Sequence, residues 1–154
     1  MQLIPFTNDD FKGLYDFMQP LWLKTYGEIL PREQILFLVD KFFSKEGLRY
    51  YVEQGYQYRK IDDVGVVVFV ERENETYMDK LYLLPCARGK GYPAFVFDEL
   101  AKSGKDVTLS VNQANARALK CYIKNGFEVE RAVDVDLGNG MVNHDFLMRR
   151  KKKV

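Results

Sequence analysis

Apolar and polar residues alternate over Met1–Phe6, which predicts a short strand. From there to Gly55 the period is helical. Phe11, Leu14, Tyr15 and Met18 fall on one face of a helix that Thr7 or Asn8 would cap and Pro20 would interrupt. Pro31 suits the first position of a second helix over Arg32–Phe43. Ser44, Leu48, Tyr51 and Val52 outline a third, ending near Gly55. The period then shortens to two. Tyr56–Ile61, Val64–Glu71 and Tyr77–Leu84 read as strands, with turns at Asp62-Asp63 and Asn74. A glycine-containing loop leads into a helix from about Pro93 to Lys102. Val107, Leu109 and Val111 mark another strand, and Ala114–Asn125 a helix that Gly126 stops. Val129–Leu137 and His144–Arg150 read as two strands joined through Gly138-Asn139-Gly140. The basic end, Arg149–Val154, reads as a solvated terminus.

This order predicts an α/β (α+β) fold with a mixed sheet flanked by helices, rather than a regularly alternating parallel one. A length of 154 residues suits one domain over 1–154. Basic and acidic side chains number 23 and 22, which argues against a nucleic-acid partner. No apolar run reaches membrane-spanning length, and no secretory signal opens the chain. Two cysteines are too few for a disulfide scaffold, so a reducing cytoplasm is the expected location. With one histidine, His144, a zinc cluster or a histidine-based triad has little to work with, and no metal is expected.

The chemistry concentrates in Leu81–Val96. Strand, glycine loop and helix make an anion site, because the first helical amides lack intrahelical acceptors and the helix dipole favours negative charge. Gly89 and Gly91 let backbone approach a phosphate; Arg88 and Lys90 add charge. A Walker loop is absent. Gly89-Lys90-Gly91-Tyr92-Pro93-Ala94 fits a dinucleotide fingerprint, but the next strand ends Ser110-Val111-Asn112, without the acidic residue that a ribose needs. A coenzyme A diphosphate is a third reading of the same loop.

Arg88-Gly89-Lys90-Gly91, preceded by Leu83-Leu84-Pro85, resembles the phosphate-binding motif of the GNAT superfamily of acyl-CoA-dependent N-acyltransferases. Asn115, Ala118, Tyr122, Gly126 and Phe127 resemble a second motif of that family, at the proper distance. Together the motifs cover about residues 64 to 130. Trp22, Thr25-Tyr26 and Ile29-Leu30-Pro31, with Gly138-Asn139-Gly140, resemble its polyamine-acetyltransferase branch. Pro93 departs from the pattern, where the family has Gly or Ala.

The resemblance implies a mostly antiparallel central sheet and direct transfer from acetyl-CoA to a primary amine. A small amine or polyamine is favoured, and a protein amine stays open. It implies coenzyme contacts from Leu81, Leu83, Arg88, Gly89, Lys90, Gly91, Tyr92, Asn115 and Tyr122. A backbone N–H near Leu83 would hold the oxyanion, and Tyr122 would protonate the leaving sulfur. Asp79 would deprotonate the amine through water, with Glu71 the weaker candidate. Trp22 and Tyr26 would line the acceptor pocket, where Glu28 could attract a cation. Spacing alone leaves Tyr122, Trp22 and Tyr26 equally readable as packing residues, Asn115 as a helix-start residue and Asp79 as a surface strand residue. Cys86 suits a small buried hydrophobe. The rivals are a non-catalytic CoA-binding module and a nucleotide-binding oxidoreductase. Monomer and homodimer both remain open.

Overall fold

The central strand β3 (Gly65–Glu71) is buried along its whole length except Glu71, which requires cover on both faces of its sheet. The structure, a computed structural model, describes residues 1–153 and supplies that cover. In chain order it comprises β1 (Leu3–Pro5), α1 (Asn8–Tyr26), α2 (Arg32–Phe43), α3 (Lys45–Glu53), β2 (Gln57–Ile61), β3, β4 (Glu75–Leu83), α4 (Tyr92–Ala101), β5 (Asp106–Asn112), α5 (Ala116–Lys124), β6 (Glu128–Gly138) and β7 (Met141–Arg150). The strands form one sheet in the order β1-β2-β3-β4-β5-β7-β6. Its neighbours are antiparallel except β4 and β5. The expected mixed, mostly antiparallel α/β architecture is therefore observed.

Helices α1–α3 cover one face. Met18, Trp22, Ile35 and Leu38 pack there on Tyr58, Val66, Val68 and Tyr82. Helices α4 and α5 cover the other, where Val96, Phe97 and Leu100 meet Val67, Met78, Leu109 and Phe127. Alternation along β3 sends Val66 and Val68 to the first layer and Val67 and Phe69 to the second.

Local signals explain most helix ends. Thr7 and Asp10 form a reciprocal capping box on α1, and Ser44 caps α3 by accepting from the Gly47 N–H. Pro31 sits one place earlier than expected, at the N-cap of α2. Pro20 does not interrupt α1, which runs through it to Tyr26. An interior proline costs about 3 kcal/mol, but Met18 and Trp22 on either side are 0% and 6% exposed. Burying side chains of that size contributes about 1.5–3 kcal/mol each, which outweighs the defect.

The last hairpin turns on Asn139 and Gly140 alone, at φ 54° and 74°. This is the left-handed pair that a tight two-residue turn requires. Its second strand accordingly begins at Met141 rather than His144. Arg149 and Arg150 belong to β7 and are ion-paired to Asp106 and Asp98 at 3.1 and 2.7 Å. Only Lys151–Lys153 of the basic end are exposed, while Val154 lies outside the described residues.

Candidate active site

One extra residue opens the sheet. Val68 pairs with Lys80 and Phe69 with Met78, so Asp79 stands unpaired as a β-bulge in β4. The bulge reverses the alternation. Met78 joins the layer under α4, whereas Tyr82 joins that under α1. It also brings the neighbouring side chains of Asp79 and Lys80 together as an ion pair. The parallel β4–β5 ladder runs only from Glu75/Asp106 to Met78/Leu109. Beyond it β4 continues on β3 and β5 on β7, leaving a gap between them. Leu84 donates its N–H to Val64 C=O on the β3 side, at 2.8 Å. Strand amides alternate in direction, so Leu81 and Leu83 direct theirs into the gap.

Two adjoining chambers occupy this gap. The outer one, ≈ 320 Å³, is lined by Leu83, Arg88, Gly89, Pro93, Arg117 and Cys121, among others. The inner one, ≈ 210 Å³, reaches under α1 and α2 and includes Trp22, Phe42, Asp79, Lys80 and Asp145. Tyr26, Leu81, Tyr82, Asn115 and Tyr122 border both.

Tyr122 projects to this junction from α5. Its ring meets Phe97 and Phe127 edge-on at 5.9 and 5.8 Å. Burial, reinforced by the neighbouring Tyr26 phenol, pushes its hydroxyl well above the ordinary tyrosine range, so it holds its proton. Asn115 is the α5 N-cap and accepts from the Ala118 N–H at 3.2 Å. That uses its carbonyl oxygen and leaves its amide nitrogen for a ligand.

The glycine loop follows a 3₁₀ turn at Pro85–Ala87. Gly89 and Gly91 adopt φ 73° and 83°. Added Cβ atoms would meet nothing there within 4 Å, so the demand for glycine is conformational rather than spatial. Pro93 takes the second helical position behind the Gly91 N-cap, not the first. Tyr92 turns its hydroxyl away to donate to Asp62 at 2.7 Å, tethering the loop to the β2–β3 turn. Lys90, Gly91 and Tyr92 do not line the outer chamber, whereas Arg88 and Gly89 do. Cys86 is exposed, contrary to expectation, because the 3₁₀ turn buries Ala87 instead.

Asp79 borders the inner chamber, but its carboxylate is already engaged by Lys80. The Lys80 ammonium lies 3.9 Å from the Phe42 ring centroid. Burial lowers its pKa, and Asp79 opposes that shift. The Trp22 and Tyr26 rings meet at a 53° tilt with centroids 4.9 Å apart, and both line the chamber. Glu28 and Glu71 are exposed and border neither chamber.

The sequence reading missed Asp145 and Arg117. Asp145 lies in the inner chamber with a buried Oδ1 that has no hydrogen-bond partner. Burial raises its pKa against the opposing pull of His144. The available signal was alternation in the last strand, which sets Asp145 opposite Phe146 and Met148. Arg117 stands one turn into the second motif and adds a cation to the outer chamber.

No family model matches the sequence. Over 94 residues the chain is 32% identical to an uncharacterized N-acetyltransferase of Mycobacterium bovis, a match covering 57% of this chain. The chain thus spans 60% of the length of that curated relative. Among solved structures it resembles the PaiA N-acetyltransferase of Thermoplasma acidophilum in complex with coenzyme A. The TM-score is 0.72 at 24% identity, covering 97% of this chain and 98% of that one. It also resembles the spermidine N-acetyltransferase of Vibrio cholerae in complex with CoA and spermine. Here the TM-score is 0.64 at 14% identity, covering 98% and 95%. The chain therefore has the fold of the GNAT-type N-acetyltransferases.

Proposed function

We propose that the chain, acting as one domain, transfers the acetyl group of acetyl-CoA directly to a primary amine, with small amines and polyamines favoured over protein amines. The observation that carries this reading is the gap beyond the bulge. There Leu81, Leu83, Tyr122 and the start of the glycine loop, Arg88 and Gly89, border two adjoining chambers. A Thermoplasma structure of the same fold is in complex with coenzyme A, which supports uptake of that coenzyme; we assign its diphosphate to the Arg88–Gly91 loop, with Arg117 adding charge.

The amine arrives protonated. With a pKa near 10.4, about one molecule in a few thousand is neutral at pH 7, so a proton must first pass through water to solvent. Asp79 and Asp145 are the carboxylates available for this relay. The amine lone pair then forms the N–C bond, and the carbonyl π electrons move to oxygen, where the Leu81 or Leu83 N–H holds the oxyanion. The nitrogen loses its second proton. The C–S bond breaks, and Tyr122 protonates the leaving sulfur. The phenolate recovers the proton that the nitrogen released. The products are the amide, free coenzyme A and the one proton shed at the start.

The test is thiol release from acetyl-CoA over a panel of amines. Release with an amine supports the reading; tight coenzyme uptake without release from any amine would leave a non-catalytic binding module. The pH profile is a second check. A donor whose pKa is raised by burial stays protonated as pH climbs, while the amine loses its proton. Turnover should therefore rise through the alkaline range, with no downturn below about pH 10. A downturn near pH 8 to 9 would exclude Tyr122 as the proton donor.

Pro93 removes one first-turn N–H that could reach a phosphate. Pro93→Gly is expected to bind acetyl-CoA as tightly as the unaltered chain or tighter. Calorimetry showing much weaker uptake would place the diphosphate elsewhere.

A further inference from the structure

The inner chamber has two polar atoms that find no partner among the described residues. One is the Asp145 Oδ1, an acceptor; the other is the Trp22 Nε1–H, a donor. Trp22 is 6% exposed. Orphaned buried groups of this kind are uncommon in folded proteins and need a reason. A bound molecule that supplies a cation to one and electron density to the other is such a reason.

The charges around the chamber limit what that molecule can be. Asp79 is neutralised by Lys80, so Asp145 is the one carboxylate on its wall without a cation paired to it. The rest of the lining holds no second carboxylate free of a cation: it combines apolar Trp22, Leu30, Leu38, Val135 and Leu137 with neutral polar residues such as Tyr77 and Asn143. Behind that wall stands a second cation, Lys41, whose ammonium bonds the Leu137 carbonyl at 3.2 Å. A polyamine seated on Asp145 would carry its remaining ammonium groups toward apolar side chains, Lys80 and Lys41. Desolvation and like-charge repulsion both oppose that.

We infer that the acceptor is a small monoamine with a single cationic nitrogen and an apolar, aromatic or branched body. Its ammonium sits on Asp145, and its body packs against Trp22 and the Leu137 wall. The inference rests on the acetyltransferase reading and narrows it. A π-face or ether oxygen of such a body is an acceptor for the Trp22 N–H, and the aromatic lining suits its packing.

The experiment follows thiol release from acetyl-CoA by the full chain with 2-phenylethylamine, 3-methylbutylamine, putrescine and spermidine. The kcat/KM of the better monoamine should exceed that of spermidine by about tenfold or more. Equal or greater use of spermidine overturns the inference. Asp145→Asn keeps the side-chain shape and removes a buried unpaired charge, so it should fold and bind acetyl-CoA normally. It should raise the KM for 2-phenylethylamine by about 10- to 100-fold; an unchanged KM overturns the role of Asp145. Val135→Glu adds a carboxylate to the apolar wall and should shift preference toward spermidine by about tenfold; an unshifted preference counts against the wall as the selector. Acetyl-CoA uptake with no thiol release from all four amines overturns the acceptor inference alone. No acetyl-CoA uptake overturns the acetyltransferase reading, and the inference with it.

Discussion

Tyr122→Phe should bind acetyl-CoA with unchanged affinity and turn over about tenfold or more slowly, a loss at or below the low end of general-acid effects. The reason is local. The phenylalanine ring keeps the edge contacts with Phe97 and Phe127, so the cleft keeps its shape. Only the hydroxyl disappears. In the parent chain, burial holds that hydroxyl protonated, ready for a thiolate whose conjugate acid has a pKa near 8.5. Without it the sulfur must leave as the anion or wait for water. Steady-state turnover with the true acceptor, beside calorimetry of the coenzyme, separates the two effects. Unchanged turnover would reduce Tyr122 to a packing residue.

Phe97→Ala should lower the folding free energy by about 3–5 kcal/mol. Phe97 is 0% exposed and touches both Phe127 and Tyr122, at ring-centroid distances of 4.9 and 5.9 Å. Truncation leaves a void between α4 and the sheet that a packed interior cannot fill without moving its neighbours. For a chain of this size each kcal/mol lowers Tm by about 2–4 °C, so the fall should exceed about 6 °C. Denaturant unfolding followed by fluorescence measures it directly. A loss below about 1 kcal/mol would show that the α4 layer does not depend on this ring. Because the ring also braces Tyr122, turnover at a temperature where the variant is fully folded should fall as well.

What could be read from residues alone was what neighbouring residues decide. Thr7 and Ser44 announce helix starts through hydrogen bonds within three positions. Asn139-Gly140 turns the last hairpin because both residues tolerate left-handed backbone. The loop at Gly89 and Gly91 was equally legible. Pro20 misled for the same reason: its cost is local, whereas the compensating burial of Met18 and Trp22 comes from distant strands. The bulge at Asp79 carries no glycine or proline to mark it, and its polar side chain passes for ordinary alternation. The partner of the Tyr92 hydroxyl, Asp62, lies thirty positions earlier in the chain and no local pattern announced it. Alternation could set Asp145 on the face opposite Phe146 and Met148, but the chamber on that face is made by helices and strands distant in sequence. Tyr122 and Asn115 were legible from their motif and Leu81, Trp22 and Tyr26 from the resemblance, and all line the chambers, whereas Asp145 and Arg117 were not named.

The short seam between β4 and β5 has a mechanical consequence. From β1 through β4 the strands make one plate and from β5 through β7 another, and only the stretch from Glu75/Asp106 to Met78/Leu109 laces the two together. A molecule that takes hydrogen bonds from the free rim of β4 while lying against β5 stands in for the absent rungs. Filling the cleft and stiffening the sheet are then a single event, and at a hundredfold excess over Kd such a guest adds about 2.7 kcal/mol to the folded state.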